Sequence, residues 1–116
     1  RLRNLPNIWY DSSAVSDLMS HYTLFKHEDH RRILFGTDNL VANSFHGQYV
    51  AMGRFWYQIE APEYAKQSKI HCDQRPILAV YQQLLSMKHA AELAELSRQQ
   101  VEDIFYNNAR QAFGLQ

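Results

Sequence analysis

The chain has 116 residues, with 12 Lys plus Arg set against 12 Asp plus Glu, so its formal net charge is zero and it lacks the basic footprint of a nucleic-acid binder. At 46% apolar and 13% aromatic residues, the composition is that of a folded domain rather than a disordered chain. The single cysteine, Cys72, allows no intrachain disulfide, and no apolar run reaches the roughly 18 residues of a membrane span.

These features, with no apolar leader at the N-terminus, point to a cytoplasmic protein in a reducing compartment. Arg1 in the place of Met points to a processed or truncated chain.

Pro6 and Asn7 form a turn, and Ile8, Trp9 and Tyr10 favour the strand that follows. Asp11, Ser12 and Ser13 close it. The run does not alternate, which fits a strand covered on both faces of a parallel sheet. Residues 14–26 read as a helix, with Val15, Leu18, Met19, Tyr22 and Phe25 on one side and Ser12 or Ser13 as its cap. "HEDHRR" is a polar connection, and "ILFG" at 33–36 is the second strand. Strand, helix, strand is the start of a parallel βαβ unit.

Residues 39–75 are the least regular, broken by Gly47, Gly53 and Pro62 and dense in aromatics. "YVAMGRFWYQI" is open between helix and strand, with helix preferred. Pro76 then opens a helix that puts Ile77, Val80, Tyr81, Leu84 and Leu85 on one face. "SRQQ" at 97–100 is a capping box, Val101, Ile104 and Phe105 form the buried stripe behind it, and Gly114 is the C-terminal cap.

Asp38 follows "ILFG" directly. In parallel α/β folds the carboxyl ends of strands open onto the functional face, so Asp38 is a candidate metal ligand or general base, against the alternative of a local cap. Asp11 stands at the matching end of the first strand, where capping is the preferred reading. His46, in the segment after Asp38, is the histidine best placed to face a site. His27 and His30 read as solvated, and His21 and His89 as helix residues without an evident partner. His71 and Cys72 are two zinc-ligand types without a second pair at finger spacing. Phe55, Trp56 and Tyr57 are core, or the wall of a pocket.

"RILFGTD" at 32–38 and "NARQAFGL" at 108–115 together resemble the C-terminal part of the amidohydrolase-related family, the metal-dependent hydrolases and decarboxylases of the aminocarboxymuconate-semialdehyde decarboxylase type. Arg32, Ile33, Leu34, Phe35, Gly36 and Asp38 match that family's last-strand motif, with Thr37 where serine is usual. Asn108, Ala109, Arg110, Phe113, Gly114 and Leu115 match its terminal helix motif, and "LPNIWYDSSA" is similar to its preceding strand.

The resemblance implies a mostly helical α/β chain that is the C-terminal third of a (β/α)8 barrel. It would hold strands seven and eight and the helices after them, with 43–75 as an insertion. It implies that Asp38 binds a divalent metal, zinc by preference, or activates the attacking water by accepting its proton. Asn39, His46 and Trp56 are then candidates to meet a small-molecule substrate with a C–N, ester, lactone or carboxylate group, and Asn108 is structural. A barrel needs about 250 residues, and the family's His-x-His and further histidine ligands have no counterpart here. The isolated chain is therefore expected to be inactive, completed by an N-terminal barrel segment or associated with further copies. The other reading is a small helical interaction module that binds through residues 49–57 and the helix 77–94.

Overall fold

The computed structural model describes Leu5 and residues 7–38, 49–52, 55–58 and 77–115, giving backbone alone for 49–52, 55–58 and 77–78. β1 (Tyr10–Asp11) and β2 (Ile33–Leu34) pair in parallel, Tyr10 opposite Ile33 and Asp11 opposite Leu34. Between them runs α1 (Leu18–His27), so the expected βαβ unit is present. The helix starts at Leu18 rather than at 14. Ala14 takes a positive φ of 59° and turns the chain, and Asp17 is the cap, its carboxylate accepting the Ser20 N–H at 2.9 Å. Ser12 is instead buried.

A short 3-10 turn (His30–Arg32) delivers the chain into β2. Asp29 caps it, accepting from the Arg31 backbone and guanidinium, which holds the Asp29 carboxyl down at about 2. Arg32 does different work. Its guanidinium donates to the Ile8 carbonyl at 2.8 Å and the Leu5 carbonyl at 2.9 Å, and lies 5.4 Å from the centre of the Tyr10 ring. The "HEDHRR" connection is thus built in, with His30 Nε2 also 3.3 Å from the Asp103 carboxylate.

The preference for helix at 49–59 is corrected. β3 (Tyr49–Met52) and β4 (Phe55–Gln58) form an antiparallel pair, with Met52 opposite Phe55. Branched and aromatic residues favour a pleated surface, and a Gly-X pair separates the two runs, which together signal a hairpin. β5 (Ile77–Leu78) pairs antiparallel with β3. The helix expected from Pro76 therefore begins three residues late, as α2 (Ala79–Leu93). Among the described residues the strands make one two-stranded parallel sheet and one three-stranded antiparallel sheet, and no barrel.

The buried face of α2 also differs from the expected one. Val80, Gln83, Ser86, Met87 and Ala90 point inward, while Tyr81 and Leu85 are 60% and 45% exposed. The core joins Phe25, Ile33, Met87, Ala90 and Ile104. Full burial of residues such as Ile33, Met87 and Ile104 contributes about 1.5–3 kcal/mol each. α2 ends with Glu95 at φ 57°, the Leu96 N–H reaching back to the Ala91 carbonyl.

α3 opens as α-helix (Arg98–Glu102), passes through a π turn (Asp103–Asn107) and resumes as α-helix (Asn108–Ala112). Both expected caps are present. Ser97 Oγ accepts the Gln100 N–H while Gln100 accepts the Ser97 N–H. Gly114, at φ 64°, closes the helix with the Leu115 N–H on the Arg110 carbonyl.

The π turn has a structural use. The Asn108 N–H donates to the Asp103 carbonyl, one residue further back than an α-helix requires, so it does not engage the Ile104 carbonyl. That carbonyl accepts the Phe35 N–H at 3.0 Å. Because the Ser12 N–H donates to Leu34 O, the peptide groups of Leu34 face β1 and those of Ile33 and Phe35 face outward. Asn108 Nδ2 takes the Ile33 carbonyl at 2.8 Å and the His30 carbonyl at 2.7 Å. The outer edge of β2 is thereby covered by α3, with Phe35 stacked on Phe105.

Asn108→Ala strands the Ile33 carbonyl at the strand edge, while the His30 carbonyl keeps the Ile33 N–H. It should lower stability by about 2–3 kcal/mol, read as a reduced urea midpoint at unchanged m-value.

Candidate functional site

A parallel pair brings both strand exits to one end. Here that places Asp11, Ser12 and Ser13 beside Phe35, Gly36, Thr37 and Asp38. Asp11 bends back on its own chain. Its Oδ1 accepts the Ser13 N–H at 2.7 Å and the Ser13 hydroxyl at 2.5 Å, which is the local capping role expected of it. The backbone of Gly36 lies against this turn. A Cβ there would run into the Asp11 carboxylate and the Ser13 hydroxyl. Glycine at 36 thus allows this close approach, and a larger residue would make the Asp11 and Ser13 side chains shift.

Asp38 follows two residues later. It is exposed and takes a φ of 52°, a left-handed conformation that aspartate tolerates better than most residues but that is uncommon without glycine. Such local strain concentrates at functional positions. Asn39 and His46 lie outside the described residues, and Trp56 is described only as backbone in β4. β5 runs straight into α2, so the three-stranded sheet is attached within two helical turns of the strand exits.

The residue that joins the two exits was not expected. Gln83, on the buried face of α2, donates from Nε2 to the Ser12 carbonyl at 3.0 Å and the Gly36 carbonyl at 2.7 Å. Gln83 is seated over a second polar pair. Ser86 donates its hydroxyl to the Gln83 carbonyl at 2.9 Å, and His21 Nδ1 meets Ser86 Oγ at 2.9 Å. His21, Ser86 and Gln83 are 1%, 3% and 3% exposed. Burial drives the His21 pKa down to about 4 against the opposing charge of Asp17. The sequence signal was present: Gln83 and Ser86 lie three residues apart on α2, yet the leucines beside them set the expected face.

In chemical terms the mouth offers one carboxylate, Asp11, already engaged by Ser13, and a second, Asp38, on the exposed rim. Among the described residues no three His, Cys, Asp or Glu side chains gather as a metal-binding group, so a metal at Asp38 needs donors from outside them. No described helix is long and apolar enough to cross a membrane. No family model matches the chain, and neither a curated protein nor a solved structure matches it.

Gly36→Ala should cost about 1–3 kcal/mol by overpacking against Asp11. The cost should shrink in an Asp11→Ala background, a non-additivity that a double-mutant cycle of urea midpoints measures. Because the folded-state pKa of His21 lies below its unfolded value of 6.5, the unfolded chain binds the proton first. Its contribution is complete above pH 6.5 and lost as pH falls towards 4, about 3 kcal/mol in all. The Asp29 share acts in a separate window, lost only as pH falls from 3.8 towards 2. Urea unfolding at pH 7, 5.5 and 4.5 should show the His21 slope.

Proposed function

We propose that the chain is the C-terminal segment of a metal-dependent hydrolase or decarboxylase of the amidohydrolase type, contributing strands seven and eight of a (β/α)8 barrel. The observation that carries this reading is Asp38, a carboxylate held in a left-handed conformation at the exit of a parallel strand, beside the exit of its partner strand. The motif residues around it support the reading. Gly36 allows a close approach, Arg32 ties down the segment before β1, and Asn108 is a buried structural amide, the role the resemblance implies for it.

A bound divalent ion, zinc by preference, would supply Lewis-acid activation of a water or substrate oxygen. Asp38 would hold that ion or accept a proton at its carboxylate. Asn39, His46 and Trp56 are proposed to meet a small-molecule substrate carrying a C–N, ester, lactone or carboxylate group. The missing donors would come from an N-terminal barrel segment or a further copy.

A second reading, a non-enzymatic interaction module, draws on two observations. The outer edge of β2, where a neighbouring barrel strand would pair, is occupied by α3. And α2 with α3 frames an apolar groove of about 330 Å³ lined by Phe25, Leu84, Met87, Ala91, Val101 and Phe105.

The two separate on the protein produced from its natural gene. Under the hydrolase reading its intact mass exceeds the 13.7 kDa of this chain, and it carries about one divalent metal per chain. Asp38→Asn then lowers metal content or metal-dependent turnover by roughly a hundredfold or more. A metal-free natural product of 13.7 kDa would sink the hydrolase reading and leave the module.

A further inference from the structure

We propose that the α1–α2 interface is an acid-opened latch on the mouth formed by the exits of β1 and β2, with His21, Ser86 and Gln83 as its working parts. The inference does not rest on any metal role for Asp38. It needs only the hydrogen bonds that close the mouth.

Ser86 has one hydroxyl proton, and it is given to the Gln83 carbonyl at 2.9 Å. Its oxygen is then the acceptor towards His21, which fixes the ring as the Nδ1–H tautomer and leaves Nε2 bare. Nε2 is buried with no hydrogen-bond partner among the described residues, and the ring stacks on Phe25 with centroids 6.0 Å apart. A bare nitrogen against an apolar neighbour is tolerable. A proton there creates a buried cation with a donor that has nothing to donate to.

Among the described residues no carboxylate hydrogen-bonds the ring, and the Asp17 carboxylate is taken up by Ser20. Asp17, the cap of α1, is the charged group that acts on His21. From α2 the ring is faced by the uncharged Ser86, since Lys88, His89 and Glu92 are on the exposed side. Asp11, at the end of β1, is exposed and turned to Ser13. Protonated His21 must therefore leave its seat, and leaving breaks the link between α1 and α2 at Ser86. Gln83 sits one turn away on the same buried face. When α2 loses its seat, the Gln83 carboxamide releases the Ser12 and Gly36 carbonyls, and Gly36–Asp38 parts from Asp11–Ser13. The mouth opens while the core around Ile33 and Ile104 stays packed.

The test is an acid titration of the full chain, 15N-labelled, from pH 7.5 to 3, following the His21 ring nitrogens, the Gln83 carboxamide protons and the backbone amides by NMR. The latch requires Nδ1 protonated and Nε2 bare at neutral pH. On acidification the Gln83 carboxamide protons should lose protection roughly tenfold or more, measured against the intrinsic exchange rate at each pH, with the same midpoint as His21 protonation. The amides of α3 should stay native through that midpoint. His21→Asn keeps a donor near Nδ1 but cannot titrate, and should hold the Gln83 protons protected at low pH. If that variant does not fold, the shared midpoint in the unaltered chain decides alone. An Nε2–H tautomer, Gln83 protons that ignore His21, or unfolding of the whole chain at the same midpoint would each overturn the proposal.

Discussion

The outer edge of β2 presents two peptide groups, the Ile33 carbonyl and the Phe35 N–H, to a chain that has only one strand beside them among its described residues. Leaving either buried and unpaired would cost a few kcal/mol, comparable to a large part of a small domain's net stability. The chain supplies one side-chain amide and one backbone carbonyl, and both come from α3. The π turn releases the Ile104 carbonyl, and the same helix carries Asn108 into reach of Ile33. Docking α3 is therefore not a choice of apolar packing alone. It follows from the need to terminate a parallel sheet, and the Phe35–Phe105 stack and the burial of Ile104 come with it.

The opposite end of the same strand is organised by the same chemistry. A carboxamide, now Gln83, pairs with backbone carbonyls that the two-residue ladder cannot reach. Asn108 and Gln83 thus bracket β2, one before it and one after it, from two different helices. Each is nearly fully buried; the His30 and Ser12 carbonyls also accept the Ile33 and Val15 N–H groups, whereas the Ile33 and Gly36 carbonyls lean on the carboxamides. The strand is held by its helices as much as by its partner strand. That explains how a two-stranded parallel sheet, which gains little from its own ladder, keeps its register.

The parts legible in the sequence were those whose signals are local. The capping box at Ser97 and Gln100, the glycine cap at Gly114 and the strand–helix–strand order depend on a few neighbouring residues. The parts misread depend on contacts distant in sequence. α2 was expected to bury its leucines, and instead it buries Gln83 and Ser86, because carbonyls of residues 12 and 36 and a ring at 21 need partners there. His21 had no evident partner since Ser86 lies 65 residues away. The hairpin was missed for another reason, since aromatic runs around Gly53 fit both periods and the pairing of β3 with β4 decided between them. Of the proposed site, Asp38 and its strand exit could be read. The residues meant to face it, Asn39, His46 and the side chain of Trp56, are not among those described.

The covered edge and the barrel reading make opposite demands on α3. In a closed barrel both edges of every strand pair with a neighbour, so an arriving strand would have to take Ile33 and Phe35 from Asn108 and Ile104. The hydrogen-bond exchange is nearly even, since each bond lost is replaced by one of similar net worth, about 1 kcal/mol. Apolar surface then decides. Tyr81, Leu84 and Leu85 on α2 and Met19 on α1 are exposed, and α3 leaves Phe105 and Tyr106 partly uncovered. Burying such side chains is worth about 25 cal/mol per Å² of apolar area, so an arriving barrel segment that covered several of them would gain more than the edge exchange costs. In the chain as described, α3 holds the edge through Asn108 and the Ile104 carbonyl. On the barrel reading, the same sequence would give that edge up only to a partner that brings apolar surface as well as a strand.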